Sequence, residues 1–94
     1  MTREEILRMK PGRELDELVM CEVMKENFFY GPSHYSTNIE AAWQLVLRVT
    51  SNMNFEIGYL HNKWFCSINN KWPVEAETAP EAICKSALLA VLDE

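Results

Sequence analysis

Glycine occurs three times in 94 residues, and no P-loop, dinucleotide fingerprint or nucleophile elbow is spelled anywhere in the chain. The usual backbone apparatus for nucleotide hydrolysis is therefore missing. Cysteine is also scarce. Cys21, Cys66 and Cys84 are an odd number set far apart, with no CxxC pair and no His/Cys cluster, a pattern that fits buried free thiols in a reducing compartment and supplies no metal site. The two histidines, His34 and His61, are isolated from each other and from any nucleophile in sequence. Basic residues are outnumbered nine to fourteen, and the net charge of −5 opposes the phosphate attraction behind most nucleic-acid affinity. Nucleic acid is thus not an expected partner, although Arg3, Arg8, Lys10 and Arg13 form a local basic group. The longest apolar run, Ala82 to Leu92, is interrupted by Lys85 and Ser86 and falls well short of the ~20 residues needed to cross a bilayer. The opening MTREEILRMK has no apolar signal region. The expectation is a cytoplasmic protein without a membrane span, cofactor or metal.

The residues that are present describe an ordinary globular chain. Apolar residues make up 48% and charged residues 24%, enough to bury one core and too short a chain for a second, so residues 1–94 are read as a single domain. The pattern Thr-x-x-Glu appears at Thr2–Glu5, Thr37–Glu40 and Thr78–Glu81. Each can form a capping box, with the threonine hydroxyl accepting the N3 amide and the glutamate accepting the threonine amide. These mark helices at about residues 3–8, 38–51 and 79–92, the last with Pro80 in its first turn. Pro11-Gly12 ends the first helix and precedes another at about residues 12–25. Between the second and third boxes the period changes to two. Phe55, Ile57 and Tyr59 alternate, as do Trp64, Cys66 and Ile68, with turn residues at His61-Asn62-Lys63 and Asn69-Asn70-Lys71. The expected fold is α+β, with a three-stranded antiparallel meander and element order α-α-α-β-β-β-α. Leu60 and Phe65 lie on the face opposite the alternating sets, so each face of the sheet calls for cover.

Helical projection supplies that cover. In the third helix Ile39, Ala42, Trp43, Val46, Leu47 and Thr50 share one side, opposite Glu40, Gln44 and Arg48, as expected for a helix lying on the sheet. The last helix is apolar over more of its circumference: Leu88, Leu89 and Leu92 sweep away from the stripe of Ile83, Ala87 and Val91. Those leucines, with Trp72 as an aromatic anchor, are expected either to meet a second copy or to lie under the first helix through Ile6, Leu7 and Met9. Glu22 projects among Leu15, Leu18, Val19 and Val23, where a carboxylate needs water or a counter-ion such as Arg13 or Arg48.

The segments PGRELDELV, PSHYSTNIEAAWQLV and ETAPEAICKSALLAVL, in that order over nearly the whole chain, resemble the phage ABA sandwich domain family of small phage and prophage proteins. The resemblance implies an α-β-α sandwich and carries no established activity. Similar sequences tend to read YSTD where this chain has Asn38.

One stretch, YSTNIEAAW, admits two readings. Thr37 caps the third helix while Tyr35 packs on the core, or the helix amides with Ser36, Thr37 and Asn38 cradle a small anion. Tyr30, His34 and Tyr35, with Trp43 one turn into the helix, would then supply rings for a ligand such as a nucleotide signal. The expected function is that of a phage or prophage accessory protein acting through a second copy or a host protein rather than by catalysis. The alternative is binding or sequestering a small anionic ligand.

Overall fold

Gly12 separates the first two helices with a backbone that only glycine adopts readily, φ 150°. In a computed structural model that describes residues 2–25, 33–49, 54–68 and 73–92, helix α1 (Arg3–Arg8) begins at the complete Thr2/Glu5 capping box. Helix α2 (Arg13–Val19) follows from Gly12 and runs into a π-helical turn, Met20–Met24. That turn closes on Lys25, which adopts the left-handed conformation with φ 56°. Helix α3 spans Ile39–Val49, strands β1 to β3 span Phe55–Leu60, Lys63–Ile68 and Val74–Ala76, and helix α4 spans Ala79–Leu92. The fold is α+β, and its element order is the one expected.

The strands form an antiparallel meander in the order β1-β2-β3. Leu60 pairs with Lys63 across a two-residue turn, and His61 and Asn62 both have positive φ, 53° and 63°. This is the geometry of a type I′ hairpin turn, whose twist matches that of the flanking strands. Lys63 is therefore the first residue of β2 rather than part of the turn. The register places Phe55, Ile57 and Tyr59 opposite Ile68, Cys66 and Trp64, and Cys66 opposite Val74, so all of these residues share one face.

Helix α4 packs on β2 and β3 with one side and meets α1, α2, the π turn and α3 with the others. Eight consecutive residues, Ala82 through Leu89, are buried as a result, which a helix covered from one side alone cannot achieve. Leu88 and Leu89 belong to this intramolecular core. Both are buried within one chain, in which α1 also packs on α4 with Ile6 buried. Leu92, in the last turn, is 37% exposed. Trp72 lies outside the described residues.

Two projections need correction. Helix α3 packs mainly on α4 rather than on the sheet, burying Ala42, Leu45, Val46 and Val49. Its apolar arc is wider than this contact, so Ile39, Trp43 and Leu47 remain exposed. Glu22 lies in the π turn, whose i→i+5 spacing rotates the residues after Val19 relative to an α-helical projection, and it is half-buried there. Arg13, one proposed counter-ion, pairs with Glu17 at 2.7 Å instead.

Candidate functional site

Ser36 and Asp16 decide what the YSTN stretch does. Asp16, one turn into α2, is buried, and its carboxylate accepts the Ser36 amide at 2.7 Å. The fully buried Ser36 hydroxyl accepts the Gly12 amide at 2.8 Å and returns to the Gly12 carbonyl at 3.4 Å. The first of these Ser36 hydroxyl bonds satisfies the Gly12 amide, which has no partner within the helix, while the Gly12 carbonyl also accepts the Asp16 amide at 3.0 Å. The loop before α3 and the start of α2 are thus tied together by side chains that would be costly to bury unpaired.

The next residues start α3. Asn38, not Thr37, is the cap: its Oδ1 accepts the Glu40 amide at 2.8 Å and the Ala41 amide at 3.2 Å. The turn before it fixes the helix start, since the His34 carbonyl accepts the amides of both Thr37 and Asn38. Helix α3 consequently begins one residue later than the threonine motif indicates. Tyr35 is buried, while His34 and Thr37 are exposed. Trp43 is 45% exposed and meets Phe55 edge-on, with ring centroids 6.0 Å apart. Tyr30 lies outside the described residues. The structure therefore brings Ser36 to Gly12 and Asp16, turns Asn38 onto its own helix, and leaves Trp43 apart from both, on the outer side of α3.

That outer side is the larger apolar surface. Ile39, Trp43 and Leu47 recur every four residues, and Leu47 is 60% exposed. Strand β1 stands beyond the reach of α4 and exposes Ile57 and Tyr59 on the face of Phe55, Tyr59 to 57%, while Leu60 is exposed on the opposite face. Trp43 touching Phe55 joins the helix stripe to the strand, and Tyr59 continues it with its ring 5.1 Å from that of Trp64. An open groove of about 350 Å³ runs along Ile39, Glu40, Trp43 and Gln44. Sequence projection had assigned Ile39, Trp43 and Leu47 to the core. Their signal was available in the width of the apolar arc, which spans more than one neighbouring helix can cover.

A second feature is polar. Lys85 is 4% exposed in the middle of α4, where its Nζ donates to Glu81 Oε2 at 2.6 Å and to the Leu7 carbonyl at 3.0 Å. The Thr78 hydroxyl accepts the Glu81 amide at 3.4 Å, while the Glu81 carboxylate serves Lys85. Around the pair, Arg8, Lys10, Lys63, Glu75 and Glu77 border a cleft of about 450 Å³. Lys63 and Glu77 approach to 3.6 Å across its rim. The sequence marks this place only by the charge that interrupts the apolar run Ala82 to Leu92.

Among the described residues no three His, Cys, Asp or Glu side chains gather as metal ligands. Burial pushes the Cys66 thiol up from 9.0 to about 11, with the Ser86 hydroxyl pulling weakly the other way. Burial pushes Cys84 further up, aided by the nearby charge of Asp16. Such thiols are poor nucleophiles at neutral pH. Among the described residues, no helix is long and apolar enough to cross a membrane.

No curated protein matches the chain. The 2.0 Å crystal structure of a phage protein from Bacillus cereus ATCC 14579 superposes with a TM-score of 0.75 at 30% sequence identity, covering 88% of this chain and 93% of that one. The model of the phage ABA sandwich domain matches residues 4–88. With nearly all of its elements inside that match, and a solved phage protein sharing its fold, the chain belongs to the phage ABA sandwich domain family.

Proposed function

We propose that this phage-family protein acts as an accessory factor by protein contact rather than by catalysis, through the apolar surface that α3 and β1 present together. The observation that carries this reading is the exposed row Ile39, Trp43 and Leu47 beside the exposed strand residues Ile57 and Tyr59, which share the face of Phe55. Large contiguous apolar surfaces on small domains mark interaction sites, and an aromatic anchor such as Trp43 is typical of the residues that dominate binding energy. Helix α3 does not need these side chains for its own packing, since Ala42, Leu45, Val46 and Val49 already fill its contact with α4. The partner is a second copy or a host protein, and the working compartment is the bacterial cytoplasm.

The test replaces Leu47 with Glu and compares immobilised variant and wild-type protein for retention of soluble wild-type protein and of host proteins. The reading expects the wild type to retain a partner and Leu47→Glu to lose it by at least tenfold, with an unchanged melting temperature. Equal retention by both proteins, or no retention by the wild type, contradicts it.

A further inference from the structure

Strand β1 is an edge of the sheet, and among the described residues nothing pairs with its outer side. Such an edge is a ready template for another strand unless it is short, bulged, or blocked by proline or charge. The other edge, β3, is three residues long and follows Pro73. Strand β1 is less protected: its six residues FEIGYL contain no proline, pair with β2 without a bulge and carry a single charge, Glu56. We propose that the occupant of this edge is a second copy of the same strand, paired antiparallel about a two-fold axis at Ile57. This rests on the contact surface proposed above and specifies its partner and geometry.

The register follows from the strand's own residues. A two-fold axis normal to the sheet keeps each residue on its original face, so the axis must pass through a residue rather than between two. Centred on Glu56, it would set two carboxylates directly opposite each other, which is repulsive. Centred on Gly58, it would set two glycines opposite each other and leave the middle of the ladder without side chains. Centred on Ile57, it pairs Ile57 with its counterpart, Glu56 with Gly58 of the other copy, and Phe55 with Tyr59 of the other copy. The last pairing is the most telling. Within one chain Trp43 meets Phe55 at one end of β1, and Tyr59 meets Trp64 at the other. The two-fold would join those pairs into two four-ring clusters on the face that carries α3, one on each side of the axis. Cross-strand aromatic pairs are among the stronger sheet contacts, and this arrangement would cover the rings that one copy leaves exposed. The product is a six-stranded sheet in the order β3-β2-β1-β1-β2-β3.

Disulfide trapping tests the axis. Directly opposed residues have Cα atoms about 4.5–5.5 Å apart, within the roughly 4.4–6.8 Å span of a disulfide. Position 60, three residues from the axis, would lie about 20 Å from its counterpart. The exposed native thiol is first removed as Cys21→Ser, and Ile57→Cys and Leu60→Cys are each introduced in that background. Mild oxidation should convert Ile57→Cys to a covalent dimer and leave Leu60→Cys monomeric on a non-reducing gel. Equal trapping at both positions, or none at position 57, overturns the proposal. A companion variant, Ile57→Lys, should lower the solution mass to that of one chain while retaining the far-ultraviolet spectrum of the fold. A dimer that survives Ile57→Lys also overturns it. If Leu47→Glu still abolishes capture of a host protein while Ile57→Cys fails to trap, the contact surface stands and the strand pairing falls.

Discussion

Asn38 and Thr37 stand next to each other, and only one of them starts α3. Because Asn38 Oδ1 accepts two amides of the first turn, Asn38→Ala should destabilise the protein by about 1 kcal/mol in urea titration. Thr37→Ala should stay within about 0.5 kcal/mol, as expected for an exposed residue with no such role. The sequence showed that a helix starts here but not which polar residue caps it, since a Thr-x-x-Glu pattern whose second residue is asparagine offers two starts one residue apart. Lys85 is a sharper case. Removing one member of a buried ion pair leaves an uncompensated charge, so Lys85→Met should cost about 3 kcal/mol, and adding Glu81→Leu should recover most of that loss. The measurement is a double-mutant cycle. The thiols give a pH dependence. Burial raises the folded pKa of Cys66 to about 11, so the folded state holds this proton more tightly than the unfolded chain does. The corresponding stability is fully present below about pH 9 and is lost as pH rises toward 11. Unfolding midpoints should fall over that window, and less steeply in Cys66→Ala. A flat wild-type profile would contradict the buried placement.

Among the elements, the strands were the most legible. Alternation in FEIGYL and KWFCSI set the faces, and His61-Asn62 supplied two residues able to adopt positive φ. Replacing the turn by Asn-Gly, the strongest type I′ pair, through His61→Asn and Asn62→Gly should raise stability by roughly 0.5–1 kcal/mol in thermal melts. The loss of the Tyr59 hydroxyl's bond to Asn62, at 3.3 Å and exposed, offsets little of this gain. Helices were legible as helices but less so as neighbours. A projection treats every apolar residue as core-facing, whereas α3 has two apolar sides, one against α4 and one outward. The π turn after Val19 broke the assumed 100° step, so the projection that set Glu22 in the apolar stripe does not apply there, and Glu22 is half-buried. Periodicity also cannot show which helix occupies the centre. That role falls to α4, whose low polarity over most of its circumference was visible, although its partners were not.

For the whole molecule, the family and the α+β class were readable from three separated motifs, and the comparison with the solved phage protein agrees with both. The expected site fared differently. YSTN works largely as a clasp and a cap, tying α3 to α2 through Ser36 and Asp16, and these bonds between distant segments have no local signature in sequence. Of the leucines of α4 that suggested an interface, Leu88 and Leu89 are core while Leu92 is exposed, and a wider outward apolar surface lies on α3 and β1. The central claim is that this surface joins two copies, and the most direct measurement is sedimentation equilibrium of the wild-type protein over a wide concentration range. The account predicts a reversible approach to twice the 10.9 kDa mass of the chain, with the association shifted to higher concentration by Leu47→Glu and abolished by Ile57→Lys. A mass of one chain at every concentration would contradict it.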